Sequence, residues 1–252
     1  MVLGTEIAHN FHLHAYAVPS RMNGVEVIHG NSLTQTLSGL ASDTFNIVYI
    51  SNGNRLTLPE MKETLGKYNG HPYTIWVNEQ EMIKKVRAII KATGLKEVSE
   101  EPGMLLELDS YSTVKIKDKI EKATTTEQIE YVGRNLAKSV KPVDNEIKKY
   151  YNKASEVILN GFETDFYLYY DNNEPVGVIE VFPSSSETVG IYNLSVEKKH
   201  RGKGIATRLL QYVLNELKSA NYKYAVLQAE DEAISIYERI GFRPVTRFYE
   251  FR

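Results

Sequence analysis

Arg201-Gly202-Lys203-Gly204 stands between two periodic segments, and this junction constrains the fold more than any other part of the chain. Before it, Thr188 to Val196 (TVGIYNLSV) reads as a strand. After it, Ile205, Leu209, Val213 and Leu217 recur every four residues, and Leu210 and Leu214 widen the stripe. That pattern predicts an amphipathic helix from about Gly204 to Lys218. A strand that turns through glycines into such a helix aims successive backbone N–H groups, and the positive end of the helix dipole, at one point. The point suits a pyrophosphate, because a Cβ at the glycines would obstruct the approach of phosphate oxygens. Lys198, Lys199, Arg201 and Lys203 add attraction for a polyanion. On the short pattern alone, a solvated basic turn reads the same way. The segment is neither a G-x-x-x-x-G-K-[ST] loop nor a G-x-G-x-x-G fingerprint, which argues against an ATPase and a dinucleotide fold.

Composition narrows the function further. Lys and Arg number 30 against 32 Asp and Glu, a formal net charge of -2, which argues against nucleic acid as a partner. The absence of cysteine removes disulfides, thiolate zinc sites, iron–sulfur clusters and a Cys nucleophile. No apolar run reaches about 18 residues, and the opening MVLGTEIAHNFHLHAYAVPS has neither a basic leader nor an unbroken apolar core. The expectation is a cytoplasmic protein with no membrane partner.

The segments around the junction have a recognisable order. Two helices fit Glu127–Ser139, after N-cap threonines at 124–126, and Asp144–Leu159, with Lys141-Pro142 between them. Asp165–Tyr170 and Val176–Phe182 form a hairpin, followed by the strand into the glycine turn. Beyond the helix come a strand at Tyr224–Gln228, a short helix at Ala233–Ile240 and a strand at Phe248–Phe251. This order resembles the GNAT acyl-coenzyme A N-acyltransferase superfamily. Arg201, Gly204 and Ala206 match its R-x-x-G-x-[GA] signature, after Leu194-Ser195-Val196 and before Leu209-Leu210. Ala233, Ile236, Tyr237, Gly241 and Phe242 are similar to its A-x-x-L-Y-x-x-x-G-F, with Ile for Leu.

The resemblance implies a mixed α/β sheet (α+β) and an N-acetyltransferase that moves an acetyl group from acetyl-CoA to a primary amine, without a metal. It implies that the strand ending at Val196 and the next strand splay apart to admit the pantetheine arm. Leu194, Ser195 and Val196 would line it, the Leu194 amide polarising the thioester carbonyl. Arg201, Gly202, Lys203, Gly204, Ile205, Ala206 and Thr207 would hold the pyrophosphate. Attack would be direct, with Tyr237 protonating the departing thiolate and a carboxylate serving as base, Glu187 first and Glu180 as alternative. Glu230 stands where many members carry an Asn that touches the pantetheine.

The resemblance spans about Thr113 to Arg252, so residues 113–252 are expected to form the catalytic domain and 1–112 an N-terminal α/β domain. In the latter, strands fit Val25–His29, Asn46–Ile50, Tyr73–Val77 and Met104–Leu108, and helices Pro59–Tyr68 and Glu79–Thr93. Tyr73 to Leu108 echoes Tyr224 to Phe251, each reading strand, helix, Gly-apolar pair, strand. That suggests tandem GNAT-like domains, the first degenerate because nothing before Tyr73 resembles the glycine turn. His9-x-x-His12-x-His14 invites a metal reading, since on a strand His12 and His14 would share a face, but no nearby acid or Cys completes the set and surface or packing histidines are expected; the Ser-, Thr- and Leu-rich run Asn31–Ser42 carries no signal. A sensor that binds acyl-CoA without turnover is the alternative function. The acceptor is not legible, and a homodimer is the default only because dimers are the commonest oligomers.

Overall fold

Helix ends in the second half follow their capping residues. Thr125 accepts from the Gln128 amide while the Gln128 side chain returns to the Thr125 amide, a full capping box that opens a helix at Thr126–Ser139. Asp144 caps the next at Asn145–Asn160. These are α4 and α5 in the computed structural model, which describes residues 3–161 and 164–252, Leu3 by its backbone only. Met1 and Val2, part of the opening segment read above, lie outside the described residues.

In chain order the first half is α1 (Leu3–Ala17), β1 (Glu26–His29), β2 (Leu33–Leu37), β3 (Ile47–Ile50), α2 (Leu58–Gly66), β4 (Thr74–Asn78), α3 (Lys84–Thr93) and β5 (Glu97–Glu107). The second is β6 (Ile120–Lys122), α4, α5, β7 (Asp165–Asp171), β8 (Glu174–Pro183), β9 (Thr188–Val196), α6 (Ile205–Ser219), β10 (Tyr224–Gln228), α7 (Ile234–Ile240) and β11 (Arg243–Phe251). The strands join one sheet in the order β1-β2-β3-β4-β11-β5-β10-β9-β8-β7-β6.

The centre of that sheet is an exchange. β10 and β11 follow one another in sequence but do not pair, because β5 lies antiparallel to both. β4 and β5 are separated in the same way by β11. On either side of the exchange stands a parallel pair, β3 with β4 and β9 with β10, each joined through a helix. The echo between the two halves is therefore a pseudo-symmetric arrangement in which each half completes the other's sheet.

Alternation along the strands sorts the helices. Met104, Leu106 and Leu227 turn toward α6 and α7, while Tyr249 and Phe251 turn toward α3 on the same face. Leu105, Val226 and Phe248 turn the other way, under Ile7, Ala8 and Phe11 of α1. Phe166, Leu168 and Val178 share that opposite face with α4 and α5. Burying a Leu or Phe side chain stabilises by about 1.5–3 kcal/mol, so both layers are held chiefly by these faces.

The structure settles two segments that the sequence left open and corrects two strand boundaries. The histidines lie on α1, not on a strand; two helical steps turn about 200°, so His12 and His14 point to different elements. β2 falls in the Ser/Thr-rich run 31–42, where Thr34, Gln35 and Thr36 are buried despite their polarity. β5 begins at Glu97 rather than Met104, because Pro102 and three glutamates mask a strand. Pro102 is tolerated where β10 ends, its carbonyl accepting from Ala229. β11 starts at Arg243, before the predicted Phe248.

Candidate active site

The loop into α6 is held open by its own backbone. Gly202 and Gly204 adopt φ of +76° and +75°, a region that side-chain-bearing residues enter at a cost, and Gly204 precedes the helix without a side-chain cap. Arg208 is the first α6 residue whose amide finds an acceptor, the Gly204 carbonyl at 3.1 Å. Among the described residues, no partner is found for the amides of Gly202 through Thr207, so the N-terminal donors of the helix converge unpaired. Arg208 braces the turn, donating to the Lys203 carbonyl (2.9 Å), the Tyr169 hydroxyl (3.0 Å) and Asp118 (3.2 Å).

Beside the loop, β9 and β10 part. Their parallel pairing covers only Thr188–Gly190 against Tyr224–Val226; β9 then continues to Val196 beside β8 alone, and β10 continues to Gln228 beside β5. A slot thus opens between them along Ile191–Val196, which holds Leu194, Ser195 and Val196. A bulge marks the place: two β9 residues, Asn193 and Leu194, oppose Ile179 of β8, and Asn193 has φ +53°. Asn tolerates that conformation better than most residues. The bulge sends the consecutive side chains Tyr192 and Asn193 to the face covered by α1 and α5. Gly190, where the strands diverge, is needed there because a Cβ would stand 2.1 Å from Asn10 Oδ1.

Two polar groups at the slot were not picked out by sequence reasoning. Gln228 Nε2 is buried without a partner, on the part of β10 that has left β9. Asn10 of α1 bridges the strands, donating to the Phe182 carbonyl (3.0 Å) and accepting from the Tyr192 hydroxyl (2.6 Å). Glu180 lies beneath the bulge, 3% exposed. Thr164 donates to it at 2.6 Å, His14 Nε2 at 3.0 Å, and Asn193 Nδ2 as well. Burial opposes its ionisation, but the nearby His14 and these three donors outweigh that and hold the carboxyl below its ordinary range.

Of the other predicted residues, Tyr237 shares a buried cluster with Val196, against which Leu194 packs, whereas Glu187 lies apart from it. Tyr237 lies on α7, on the face opposite α1, 7% exposed and edge-on to Phe242. Burial, helped by the charge of Glu230, pushes its hydroxyl up to about 12. Glu187 precedes β9 at the closed end of the β9–β10 pair. Its carboxylate is half exposed and ion-paired with Lys223 at 2.5 Å. Leu194 lies seven residue steps further along the strand, about 23 Å.

The matching place in the first half is closed. β3 pairs with β4 over its whole length, Ile47 to Ile50 against Thr74 to Val77. In the following loop the Gly53 amide donates to the Glu81 carboxylate (2.6 Å), the Thr57 side chain caps α2, and Pro59 removes a first-turn N–H. No convergent set of free donors is left there. Among the described residues, no group of three or more His, Asp or Glu could hold a metal, and no helix is long and apolar enough to cross a membrane.

Comparison with known proteins agrees with this architecture. The sequence profile of the acetyltransferase (GNAT) domain matches residues 123–252. The chain therefore belongs to the GNAT acetyltransferase family. It is 33% identical over 88 residues to N-alpha-acetyltransferase 30 of Schizosaccharomyces pombe, covering 32% of this chain and 59% of that protein. It is 28% identical over 92 residues to N-acetyltransferase family 8 member 2 of Rattus norvegicus, covering 33% and 41%. The match thus spans about half the length of these curated relatives. A GCN5-related N-acetyltransferase from Kribbella flavida shares the fold across 97% of this chain and 94% of its own, with a TM-score of 0.67 at 13% identity. A tandem GNAT protein from the clavulanic acid biosynthesis pathway does so across 94% and 86%, with a TM-score of 0.60 at 13% identity.

Proposed function

We propose that this chain transfers an acetyl group from acetyl-CoA to a primary amine by direct attack of the amine on the thioester. The observation that carries the reading is the run of unpaired amides from Gly202 to Thr207, placed beside a slot whose β9 edge lacks a strand partner. Those donors suit a pyrophosphate, and the β9 edge suits an extended amide-bearing arm. The orphaned Gln228 Nε2 offers that arm a further donor. When bound, acetyl-CoA supplies the activated acyl group; the rest falls to the protein.

Arg201, Gly202, Lys203, Gly204, Ile205, Ala206 and Thr207 hold the diphosphate. Leu194, Ser195 and Val196 align the arm, and the Leu194 N–H faces the charge that develops on the thioester oxygen. Tyr237 remains protonated through neutral pH and gives its proton to the departing thiolate. The carboxylate nearest the slot is Glu180, under the bulge, whereas Glu187 is tied to Lys223 at the far end of the strand and does not serve there. Residues 1–112 act as a degenerate GNAT-like domain that does not bind acetyl-CoA but walls the acceptor side with α1.

The test is calorimetric titration of acetyl-CoA into the full chain and a Thr207→Glu variant, followed by thiol release with spermidine, a lysine hexapeptide and a peptide N-terminus. Glu in the first helical turn favours the helix while repelling phosphate, so the variant should keep its melting temperature and lose binding. Gly204→Glu is a poorer probe, since its Cβ would meet Arg208 Nη1 at 2.9 Å in a left-handed backbone. Absence of wild-type binding would sink the reading. Binding without amine-dependent thiol release would make the protein a sensor instead.

A further inference from the structure

A contact across 166 residues sets the His14 imidazole of α1 against Glu180 of β8, beneath the bulge that borders the slot. Resting on the acyl-transfer reading above, we propose that His14 is the base that takes the proton from the acceptor ammonium, with Glu180 as the positioning residue that fixes its tautomer.

The hydrogen-bond arithmetic leads there. Glu180 as a carboxylate only accepts, so the ring nitrogen 3.0 Å from its Oε1 must carry hydrogen. Neutral His14 is then the Nε2–H tautomer, and its Nδ1 presents a lone pair. No described residue pairs with that Nδ1. Glu180 itself is poorly placed to take the proton. Thr164 and His14 occupy one of its oxygens and Asn193 the other, and its side chain is 4% exposed against 24% for His14. His14 is the member of the pair that an amine can reach.

The ring is also fixed in place. It lies on Tyr192 with centroids 3.7 Å apart and planes 3° from parallel, and meets Phe182 edge-on at 5.3 Å. Tyr192 leads directly into the bulge, and Leu194 follows two residues later, at most about 7 Å along the chain. Tyr237 lies on the opposite face, in the buried cluster that includes Val196 and against which Leu194 packs. Base and acid thus stand on either side of the sheet, with the parted strands between them.

The step balances. His14 Nδ1 takes one proton from R–NH3+, and the imidazolium is stabilised by Glu180. The freed nitrogen pair forms the C–N bond as the C–S bond breaks, and the thiolate takes the Tyr237 proton. The nitrogen then sheds a second proton, which restores Tyr237, and His14 returns its own to solvent. One amide, one thiol and one proton result. Among the described residues, the titratable groups packed about the His14–Glu180 pair are Tyr192 on β9 and Tyr150 and Tyr151 on α5; Arg21, after α1, lines a small cavity with Thr164, which donates to Glu180.

The test compares wild type with His14→Gln, whose amide still donates to Glu180 but cannot act as a base. Acetyl-CoA affinity is measured by calorimetry, and kcat/KM is followed from pH 5.5 to 9 with the spermidine and lysine-hexapeptide probes. The expected result is unchanged affinity, a fall in kcat of about 10²–10⁴ and loss of the acidic limb of the profile. A wild-type pH profile in the folded variant would overturn the assignment while leaving acyl transfer standing. Failure of wild type to bind or turn over would overturn both. Independently of any variant, ¹⁵N-histidine spectra of the wild-type chain should show His14 as the Nε2–H tautomer at pH 8; an Nδ1–H tautomer would refute the proposal.

Discussion

Arg201 donates its Nε–H to the carbonyl of Val196 at 2.9 Å, tying the glycine turn to the end of the strand that precedes it. The signature arginine therefore shapes the glycine turn as well as adding charge near it. Arg201→Ala should weaken acetyl-CoA about tenfold, close to 1.4 kcal/mol, with little change in melting temperature because the residue is exposed. Arg201→Lys, which keeps the charge but lacks the rigid planar fork, should recover only part of the loss. Full recovery by lysine in calorimetry would show that charge alone matters.

Tyr237 should act as an acid without contributing a basic limb at accessible pH. Its hydroxyl is pushed up to about 12 by burial and by Glu230, so it stays protonated throughout the range in which the enzyme is assayed. Tyr237→Phe is expected to lower kcat by about 10²–10⁴ while leaving KM for acetyl-CoA unchanged. Steady-state kinetics that move KM and spare kcat would assign the ring a packing role against Phe242.

Two buried groups pull stability in opposite directions as pH changes between about 4 and 7. His12 is driven down to about 4 by burial and by His29 and His9, against 6.5 when unfolded. The unfolded chain therefore binds the proton first, and stability is lost as pH falls from about 6.5 to 4. Glu101 is driven up to about 7 by burial and by Glu230 and Glu250, against 4.5 unfolded. There the folded chain holds the extra proton, and stability is lost as pH rises from 4.5 to 7. Glu101→Gln should raise the melting temperature by a few degrees at pH 8 and leave it unchanged at pH 4.5. An equal rise at both pH values would rule out the titration as the cause.

A fragment spanning residues 113–252 should not fold on its own, although it contains the whole matched acetyltransferase segment. Without β5, the facing edges of β10 and β11 lose their ladders and the Met104–Leu106 side of the core disappears. Residues 97–252, which restore β5, should be markedly more soluble and give a cooperative melt by circular dichroism. A stable, cooperative 113–252 would mean that β10 and β11 can pair directly.

What can be read from sequence is whatever is local. The glycine turn, the α6 stripe, the β7–β8 hairpin and the caps at Thr125 and Asp144 all place cause and effect within a few residues. Their segments match the structure with small errors at the ends. α1 is not legible in this way, since its apolar face is interrupted by histidines and Asn10 that have partners on distant strands. β2 escapes because its buried threonines and Gln35 resemble a loop. Glu187 precedes β9 and the glycine turn follows it, so the sequence itself sets Glu187 at the end of the strand away from the turn. Glu180 differs from Glu187 through Thr164, Asn193 and His14, contacts that exist only after folding.

The strand exchange also sets an order of events for a chain emerging from the ribosome. β4 and β5 are made early, yet the space between them is reserved for β11, and the whole second half is synthesised in the interval. Throughout that interval the nascent first half carries two unsatisfied edges flanking a single-strand vacancy, the kind of surface that captures stray strands from other chains. The exposure lasts until β11 itself is made, so it is set by the topology rather than by any one residue.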